Sequence, residues 1–397
     1  MDSRELLERS RAHICDTYSR YNLAISRGRG CLLYDMEGRE YVDFIAGIAV
    51  CNLGHCPPGL ADVLYNQAQQ LVHVSNLFYT QPQVELAEAL TRVSFADKVF
   101  FCNSGAEAIE AAIKLARKYS RDHFGKDRYT IIAMEGSFHG RTMAAISATG
   151  QEKIHKGFEP LLPGFRHVQF NDLSAAAAAI DETVCAILVE PIQGEGGVRL
   201  PSAGYLAGLR QLCKENDLLL IYDEIQVGMG RTGMLFCYQH EQVAPDIMTL
   251  AKALANGLPI GAMLAVGEVA NSFTRGSHAS TFGGTPLVCA VACQVLARVN
   301  QEELLSSVQE QGGYFLEQLQ QLQQRYAFIK DVRGRGLIVG LELDIPGQTI
   351  VQRCQERGFL INCTADRVLR FVPPLLITST DIDRLVEALD EVFSLAG

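Results

Sequence analysis

The stretch LLLIYDEIQVGMGRTGMLFCYQHEQVAPDIMTLAK, residues 218–252, decides how the rest of the chain is read. It opens on a continuous apolar run, Leu218-Leu219-Leu220-Ile221-Tyr222, of strand length and without polar alternation. Such a run is the pattern of a strand buried on both faces of a parallel sheet. Open α/β sheets turn the carboxyl ends of their strands toward the ligand, so the run delivers Asp223 to a functional position. Ile247-Met248-Thr249-Leu250 forms a second run, and Ala251-Lys252 follows it directly. One strand end carries an acid, the other a lysine.

That pair has a chemical meaning. Pyridoxal phosphate needs a lysine amine to form a Schiff base with its aldehyde, and a carboxylate beside its ring nitrogen to keep that nitrogen protonated. Lys252 and Asp223 supply both. The same stretch holds Gly228-Met229-Gly230-Arg231-Thr232-Gly233, a match to the G-x-G-x-x-G dinucleotide fingerprint. The match is poor, because Asp223, Glu224, Gln226 and Val227 separate it from the apolar strand and MLFCYQHEQ is a weak helix opening. The acid expected about 20 residues on, Asp246, precedes a strand instead of ending one. A nicotinamide-dependent oxidoreductase stays as the minor alternative.

Further strand ends carry chemistry. Lys98-Val99-Phe100-Phe101-Cys102 runs into Asn103-Ser104-Gly105-Ala106-Glu107, followed by the helical spacing of Ala108, Ile109, Ala112, Ile113 and Ala116. A helix N-terminus presents free amides to an anion, so this is a candidate phosphate cradle. A plain N-cap by Asn103 or Ser104 explains the same residues. The strand at 129–133 leads to Gly136-Ser137-Phe138-His139-Gly140-Arg141, which offers a ring for stacking and a guanidinium fork for a carboxylate. The strand at 184–189 ends in Glu190-Pro191-Ile192-Gln193-Gly194-Glu195. His55, in a loop before Cys56-Pro57-Pro58, reads as structural.

Around these motifs the spacing predicts a helix over residues 1–18, a β-hairpin at 31–44, helices at 60–72 and 81–94, an antiparallel or edge strand at 260–266, and helices at 286–299 and 301–325. From Ile329 the chain turns to short strands and helices. The expected division is an N-terminal segment (1–50) that packs with a small domain, a large α/β domain (51–290) with a mostly parallel central sheet, and a small α+β domain (291–397).

Composition narrows the function. Of 397 residues 48% are hydrophobic and 20% charged, enough apolar material for a large core and a length that predicts two domains. The net charge of −10, with no basic cluster, argues against nucleic acid or an anionic membrane surface as partner. No run of about 18 apolar residues occurs, and the amino terminus has no apolar signal core, so a cytoplasmic protein is expected. The twelve cysteines are scattered without a C-x-x-C pair, and Cys289 and Cys293 lack histidine partners, so they read as small core hydrophobes and no metal site is expected.

Taken together, Asn103-Ser104-Gly105-Ala106-Glu107-Ala108, Ser137-Phe138-His139-Gly140-Arg141, Glu190-Pro191-Ile192-Gln193-Gly194-Glu195, Asp223-Glu224-Ile225-Gln226 and Lys252 resemble the class III pyridoxal-phosphate aminotransferases of fold type I. The resemblance covers essentially the whole chain and is greatest to the acetylornithine aminotransferases. It implies an α/β fold type I transferase that uses N2-acetylornithine and 2-oxoglutarate in arginine biosynthesis. Succinylornithine, succinyl-diaminopimelate, ornithine or 4-aminobutyrate remain alternative donors. It implies that Lys252 holds the cofactor and shuttles a proton, that Asp223 pairs with the pyridinium, and that Gln226 bonds the phenolic oxygen. Phe138 stacks on the ring, and Ser104, Gly105 and Ala106 bind the phosphate with Thr281 of a second subunit, which makes a homodimer part of the site. Substrate contacts are implied for Tyr18, Arg141, Ser280 and Arg370, with Glu195 masking Arg370. A non-catalytic member of the fold is disfavoured by the presence of both Lys252 and Asp223.

Overall fold

In the computed structural model, which describes residues 2–395, the apolar runs assemble into one seven-stranded sheet. Its order is Lys98–Cys102, Gly261–Ala265, Ile247–Leu250, Leu219–Asp223, Val184–Val189, Thr130–Met134, Phe165–Val168. All strands run one way except Gly261–Ala265, which is antiparallel to both neighbours. The run at 260–266 is therefore antiparallel but not the edge, since Lys98–Cys102 lies outside it. Pairing along both sides satisfies its backbone groups, and its small apolar residues are buried throughout.

Thr130–Met134, Val184–Val189 and Leu219–Asp223 are buried at every position, as expected of strands covered on both faces. Strand side chains alternate between faces. Ile131, Ala186, Leu188, Leu219 and Ile221 point to one face, under Ile109, Ala112 and Ala116 of the helix Gly105–Phe124. Ile132, Ile187, Val189, Leu220 and Tyr222 point to the other, under Tyr205–Glu215 and the pair Gln81–Val93 and Pro286–Val299. The predicted division at residue 290 falls inside Pro286–Val299. Val291, Ala292, Val295, Leu296 and Val299 all belong to this larger core, so the change of core comes after Val299.

The second core is built on an antiparallel sheet in the order Ile329–Arg335, Ile338–Leu343, Val368–Phe371, Asn362–Thr364. Glu302–Arg325, Gln348–Glu356 and Ser379–Ser394 pack on it through Phe315, Leu319, Ile350, Leu385 and Val392. The N-terminal segment joins this core: Glu40–Asp43 pairs in parallel with Phe359–Leu360, and Phe44 packs against Phe315, Phe359 and Phe371. The first helix is shorter than its spacing suggested, Ser3–His13 rather than 1–18, with Met1 outside the described residues. It buries no residue; its Asp2 cap, the pairs Arg4–Glu8 and Glu5–Arg9, and exposed hydrogen bonds from Ser3 to Glu37 and from Arg11 to Asn22 support it, and i,i+4 pairs add only a few tenths of a kcal/mol each.

The glycines of residues 228–233 have a packing explanation. Gly230 (φ 83°) and Gly233 (φ 86°) adopt left-handed conformations open to glycine. A Cβ on Gly230 would lie 2.7 Å from Val299, and one on Gly233 2.3 Å from Gln309. The stretch is a turn-rich loop under the second core, and the next element is only the short 3-10 turn Cys237–His240. No strand–turn–helix unit exists there, which removes the nicotinamide alternative. Among the described residues no helix is long and apolar enough to cross a membrane.

Candidate active site

The carboxyl ends of five strands of the large sheet meet at one cavity of about 820 Å³, its open mouth included. Asp223 closes Leu219–Asp223, Lys252 follows Ile247–Leu250, and Glu190 follows Val184–Val189. Phe138 and His139 follow Thr130–Met134, and Ser104, Gly105 and Ala106 follow Lys98–Cys102. Separate loops thus deliver a lysine, an aromatic ring, carboxylates and free amides to one place.

Asp223 is buried and held through both of its oxygens. Its Oδ2 lies 2.8 Å from His139 Nδ1, and its Oδ1 accepts the Ile225 N–H at 3.0 Å. His139 Nε2 is buried with no partner among the described residues. Beside this pair, Glu190 accepts the N–H of Phe138 at 2.8 Å and of Gly194 at 3.3 Å, tying together two loops of the cavity wall. Burial pushes the Glu190 carboxyl up to about 7; His139 opposes that push, and Asp223 adds to it. The neighbouring Glu224 accepts the N–H groups of Cys237 and Tyr238 at 2.6 and 2.7 Å, and its burial pushes it up to about 8.

These two acids make stability depend on pH. Both have folded-state values above the ordinary 4.5, so between about 4.5 and 8 the folded chain keeps protons that the unfolded chain has released. Stability from this source falls as pH rises through that window. Glu224→Gln, which cannot ionise, is expected to flatten the slope of the thermal midpoint between pH 5 and 8. An unchanged slope would exclude Glu224 as its source.

Lys252 stands at the start of a 3-10 turn with a left-handed φ of 41°, a conformation that costs a side-chain-bearing residue on the order of 1–3 kcal/mol and clusters at functional sites. Burial holds its amine below the ordinary lysine value, with Glu195 pulling it up and Arg370 pushing it further down. A lysine so held has more of the free base, the form that attacks carbonyls and takes protons.

Glu195, Gln226 and Arg370 form a closed polar group. Arg370 Nη1 donates to Glu195 Oε1 at 2.6 Å and to Gln226 Oε1 at 3.1 Å, and Gln226 Nε2 donates to the same Glu195 oxygen at 3.2 Å. Arg370 is 1% exposed. With its amide oriented to satisfy both of its polar atoms, Asn362 accepts from Arg370 Nη2 at 2.8 Å and donates to the Arg370 carbonyl at 3.1 Å. Burial alone would raise the Glu195 carboxyl, but the Arg370 and Lys252 cations hold it below its ordinary value. Gly194 makes room for this group, since a Cβ there would fall 2.0 Å from Gln226 Oε1.

Ser104 caps the helix Gly105–Phe124 by accepting the Glu107 N–H at 3.2 Å. The amides of Gly105 and Ala106, ahead of it, have no intrachain acceptor among the described residues. The cap and the anion cradle are thus compatible, one using the hydroxyl and the other the backbone.

Other residues named from the sequence lie farther out. Ser280 Oγ accepts from Asn103 Nδ2 and from the Gly283 N–H, both at 3.1 Å, which fixes its loop to the cavity's edge. Thr281 is exposed and lies outside this chain's cavity wall. Arg141 is exposed, with its guanidinium 5.6 Å from the centre of the Phe138 ring. Tyr18 is not brought to the cavity: it is 69% exposed, under the Arg20 guanidinium. Tyr21, which the sequence did not single out, is the tyrosine that packs near Arg370. Val50, Ile225 and the Asp223-bound ring of His139 also belong to the wall without a role predicted for them.

The donor set fits a flat, anionic aldehyde: free helix amides for a phosphate, a ring for stacking, a buried carboxylate with a fixed orientation, and a base-rich amine. A phosphate-bearing pyridine aldehyde such as pyridoxal phosphate meets each of these.

Comparison with known proteins agrees with that chemistry. Residues 15–393 match the family model described as aminotransferase class-III. The chain is 51% identical over 383 residues, 96% of its length and 97% of the relative's, to acetylornithine aminotransferase of Caldanaerobacter subterraneus subsp. tengcongensis. Among solved structures, N-acetylornithine aminotransferase from Stenotrophomonas maltophilia superposes with a TM-score of 0.85 at 38% identity, covering 98% of this chain and 99% of that one. An ornithine aminotransferase from Toxoplasma gondii, described as having PLP at partial occupancy in its active site, gives 0.96 at 35% identity over 99% and 94% of the two chains.

Proposed function

Because the chain belongs to the class-III aminotransferases, we propose that it transfers the side-chain amino group of N2-acetyl-L-ornithine to 2-oxoglutarate, with pyridoxal phosphate as cofactor. The products are N-acetyl-L-glutamate 5-semialdehyde and L-glutamate. The observation that carries this reading is the Glu195–Arg370 ion pair beside Lys252. A donor with one carboxylate and an acceptor with two must use the same cavity, so a cation near the reacting centre has to be neutralised for one and available for the other. An unpaired guanidinium against an apolar acyl chain would be costly, and an acid partner removes that cost. The names of the relatives support the acylated donor.

When bound, pyridoxal phosphate withdraws electrons from the carbon that bears the transferred amine. The chain's own residues do the rest. Lys252 Nζ holds the aldehyde carbon and moves the proton at the substrate carbon. Asp223, kept in place by His139, holds the proton at the ring nitrogen. Phe138 covers one face of the ring, and Gly105, Ala106 and the Ser104 turn receive the phosphate. Gln226 reaches the phenolic oxygen, and Arg141 and Arg370 orient substrate carboxylates, with Ser280 at the acyl end.

Thr281 serves this reading only from a second subunit. The exposed apolar side chains of Leu77 (85%), Tyr79 (98%) and Phe282 (60%) near that loop support such a partner. The protein is expected to sediment as a dimer and to lose cofactor affinity on dilution to monomers. A monomer with full cofactor occupancy would contradict the shared site. The twelve unpaired cysteines support a reducing, cytoplasmic setting.

The test of the donor is the absorbance spectrum of the purified protein. The band of the bound cofactor is expected to bleach on addition of acetylornithine and to return with 2-oxoglutarate. A band that acetylornithine leaves unchanged, while another ω-amine bleaches it, would overturn the choice of donor.

A further inference from the structure

The segment that carries Glu195 lies across one face of the small-domain sheet. In that sheet Arg333 is paired with Gly340, Gly340 with Arg370 and Arg370 with Asn362, so these residues form one row across its strands. Residues directly opposite each other in neighbouring strands share a face, and so do residues two apart along one strand. Asn362 and Thr364 are two apart on the same strand, which places Thr364 on that face as well. At Gly340 the row has a gap, for a Cβ there would lie 2.9 Å from the Cβ of Val198. Gly197 is equally close, since a Cβ on it would meet Val368 at 3.3 Å. The sheet thus leaves a seat for residues 195–198.

Side chains of this face hold the segment by its carbonyls. Arg333 Nε donates to the Gly197 carbonyl at 3.1 Å and to that of Val198 at 2.9 Å, and its Nη2 donates to the Gly197 carbonyl at 2.6 Å. Its Nη1 donates to Asp331 at 2.7 Å and to Glu342 at 2.6 Å, which fixes the plane of the guanidinium fork. Thr364 Oγ1 donates to the carbonyl of Glu195 itself. The segment's own conformation calls for such support. Val198 is fully buried with a left-handed φ of 51°, a conformation that is strained for a β-branched residue and persists where the surroundings impose it. The amides of Val198 and Arg199 bond within the loop, to the carbonyls of Gly194 at 3.3 Å and Gln193 at 3.0 Å. The carbonyls are what the small sheet grips.

We propose that Arg333 and Thr364 are positioning residues for amine-donor specificity: they seat the main chain of residues 195–198 on the small sheet, in register with Arg370, and so keep the Glu195 carboxylate on the Arg370 guanidinium. Neither belongs to the cavity wall, so their effect reaches the reaction through Glu195. The inference rests on the function proposed above, in which Glu195 masks Arg370 while the acylated donor reacts. Loosening the seat lowers the population of the masked arrangement, and each donor's apparent affinity follows the population of the arrangement that it needs. Glutamate, which needs the free guanidinium, gains. Acetylornithine, which needs it masked, loses.

Arg333→Lys keeps a cation between Asp331 and Glu342, but one ammonium cannot span the two loop carbonyls as the planar fork does. Thr364→Val keeps the shape and removes the donor, and Thr364→Ser keeps the donor. In the holoenzyme the cofactor band is followed in single half-reactions with acetylornithine and with glutamate. Arg333→Lys and Thr364→Val are each expected to shift the ratio of the two kcat/KM values toward glutamate by about two- to tenfold, the range of one ordinary hydrogen bond, while Thr364→Ser keeps the wild-type ratio. Hydrogen exchange of the amides of residues 194–199 should quicken in the same two variants and not in Thr364→Ser, with the strand Val184–Val189 unchanged. Either variant, if folded, suffices for the test. A wild-type ratio in both, or equal slowing with both donors, would overturn the proposal even where exchange quickens. A wild-type band that acetylornithine leaves unchanged would overturn the choice of donor instead, and exchange that stays slow in Arg333→Lys and Thr364→Val would then still refute the seat.

Discussion

Lys252→Ala is expected to abolish turnover while leaving a folded protein that still binds the cofactor's phosphate. The amine has no hydrogen-bonded partner among the described residues, so its loss leaves no group unpaired. Burial disfavours its charge, and removing it lifts that cost. The turn itself depends on backbone bonds, such as Leu254 N–H to Ala251 O at 2.8 Å, which alanine retains. The left-handed φ of 41° is no easier for alanine than for lysine. Stability should therefore change by less than about 1 kcal/mol in thermal melts, as for substitutions away from packed contacts. Activity should fall by at least about 10⁴-fold, because proton transfer alone supplies about 10² to 10⁴ and the covalent link is lost as well. A variant that turns over at wild-type rate would end the mechanism proposed above. One that fails to fold would show that Lys252 has a structural part its contacts do not reveal.

What the sequence disclosed follows from the range over which each signal acts. Asp223 and Lys252 were legible because each ends a run of apolar residues, and burial on both faces of a sheet leaves no other pattern for such runs. The candidate phosphate cradle was legible for the same reason, as a strand passing directly into a helix. Contacts between distant segments were not. His139 meets Asp223 across 84 positions, and Glu190 meets Phe138 across 52, and no local spacing encodes either. The Glu195–Arg370 pair spans 175 positions, and only the resemblance to a known family brought those two residues together in advance. Gly228, Gly230 and Gly233 show the opposite failure, a motif whose spacing is right and whose cause is different. Close passage beneath Val299 and Gln309 demands the same residue type as close approach to a pyrophosphate. The helix expected over residues 1–18 overran because propensity alone was its support, and no buried face extends it past His13. The expected division at 290 falls within the helix Pro286–Val299, whose later residues belong to the larger core, and which core a helix joins is set by contacts that spacing does not encode.

Glu195→Gln is expected to shift donor preference from acetylornithine toward glutamate by roughly ten- to hundredfold in the ratio of the two kcat/KM values. The substitution keeps size and hydrogen-bonding capacity but removes the charge that faces Arg370 at 2.6 Å. Arg370 itself should stay in place, because Gln226 and Asn362 also bind it and it is almost completely buried. What changes is its availability: a guanidinium without its carboxylate seeks another, and glutamate brings one close to the amine that reacts. Acetylornithine presents its reacting amine at the far end of the chain from its carboxylate, and meets instead an uncompensated cation along its aliphatic part. A charge-assisted hydrogen bond is worth about 1.5 to 3 kcal/mol, which converts to the range stated. The same substitution removes an acid that pulls the Lys252 amine upward, so that amine should also titrate lower in the variant. Following the cofactor band in single half-reactions with each donor separates binding of the two amines from release of the second product. Equal slowing with both donors would show that Glu195 acts on the lysine or on the fold in general, and the masking of Arg370 would have to be abandoned.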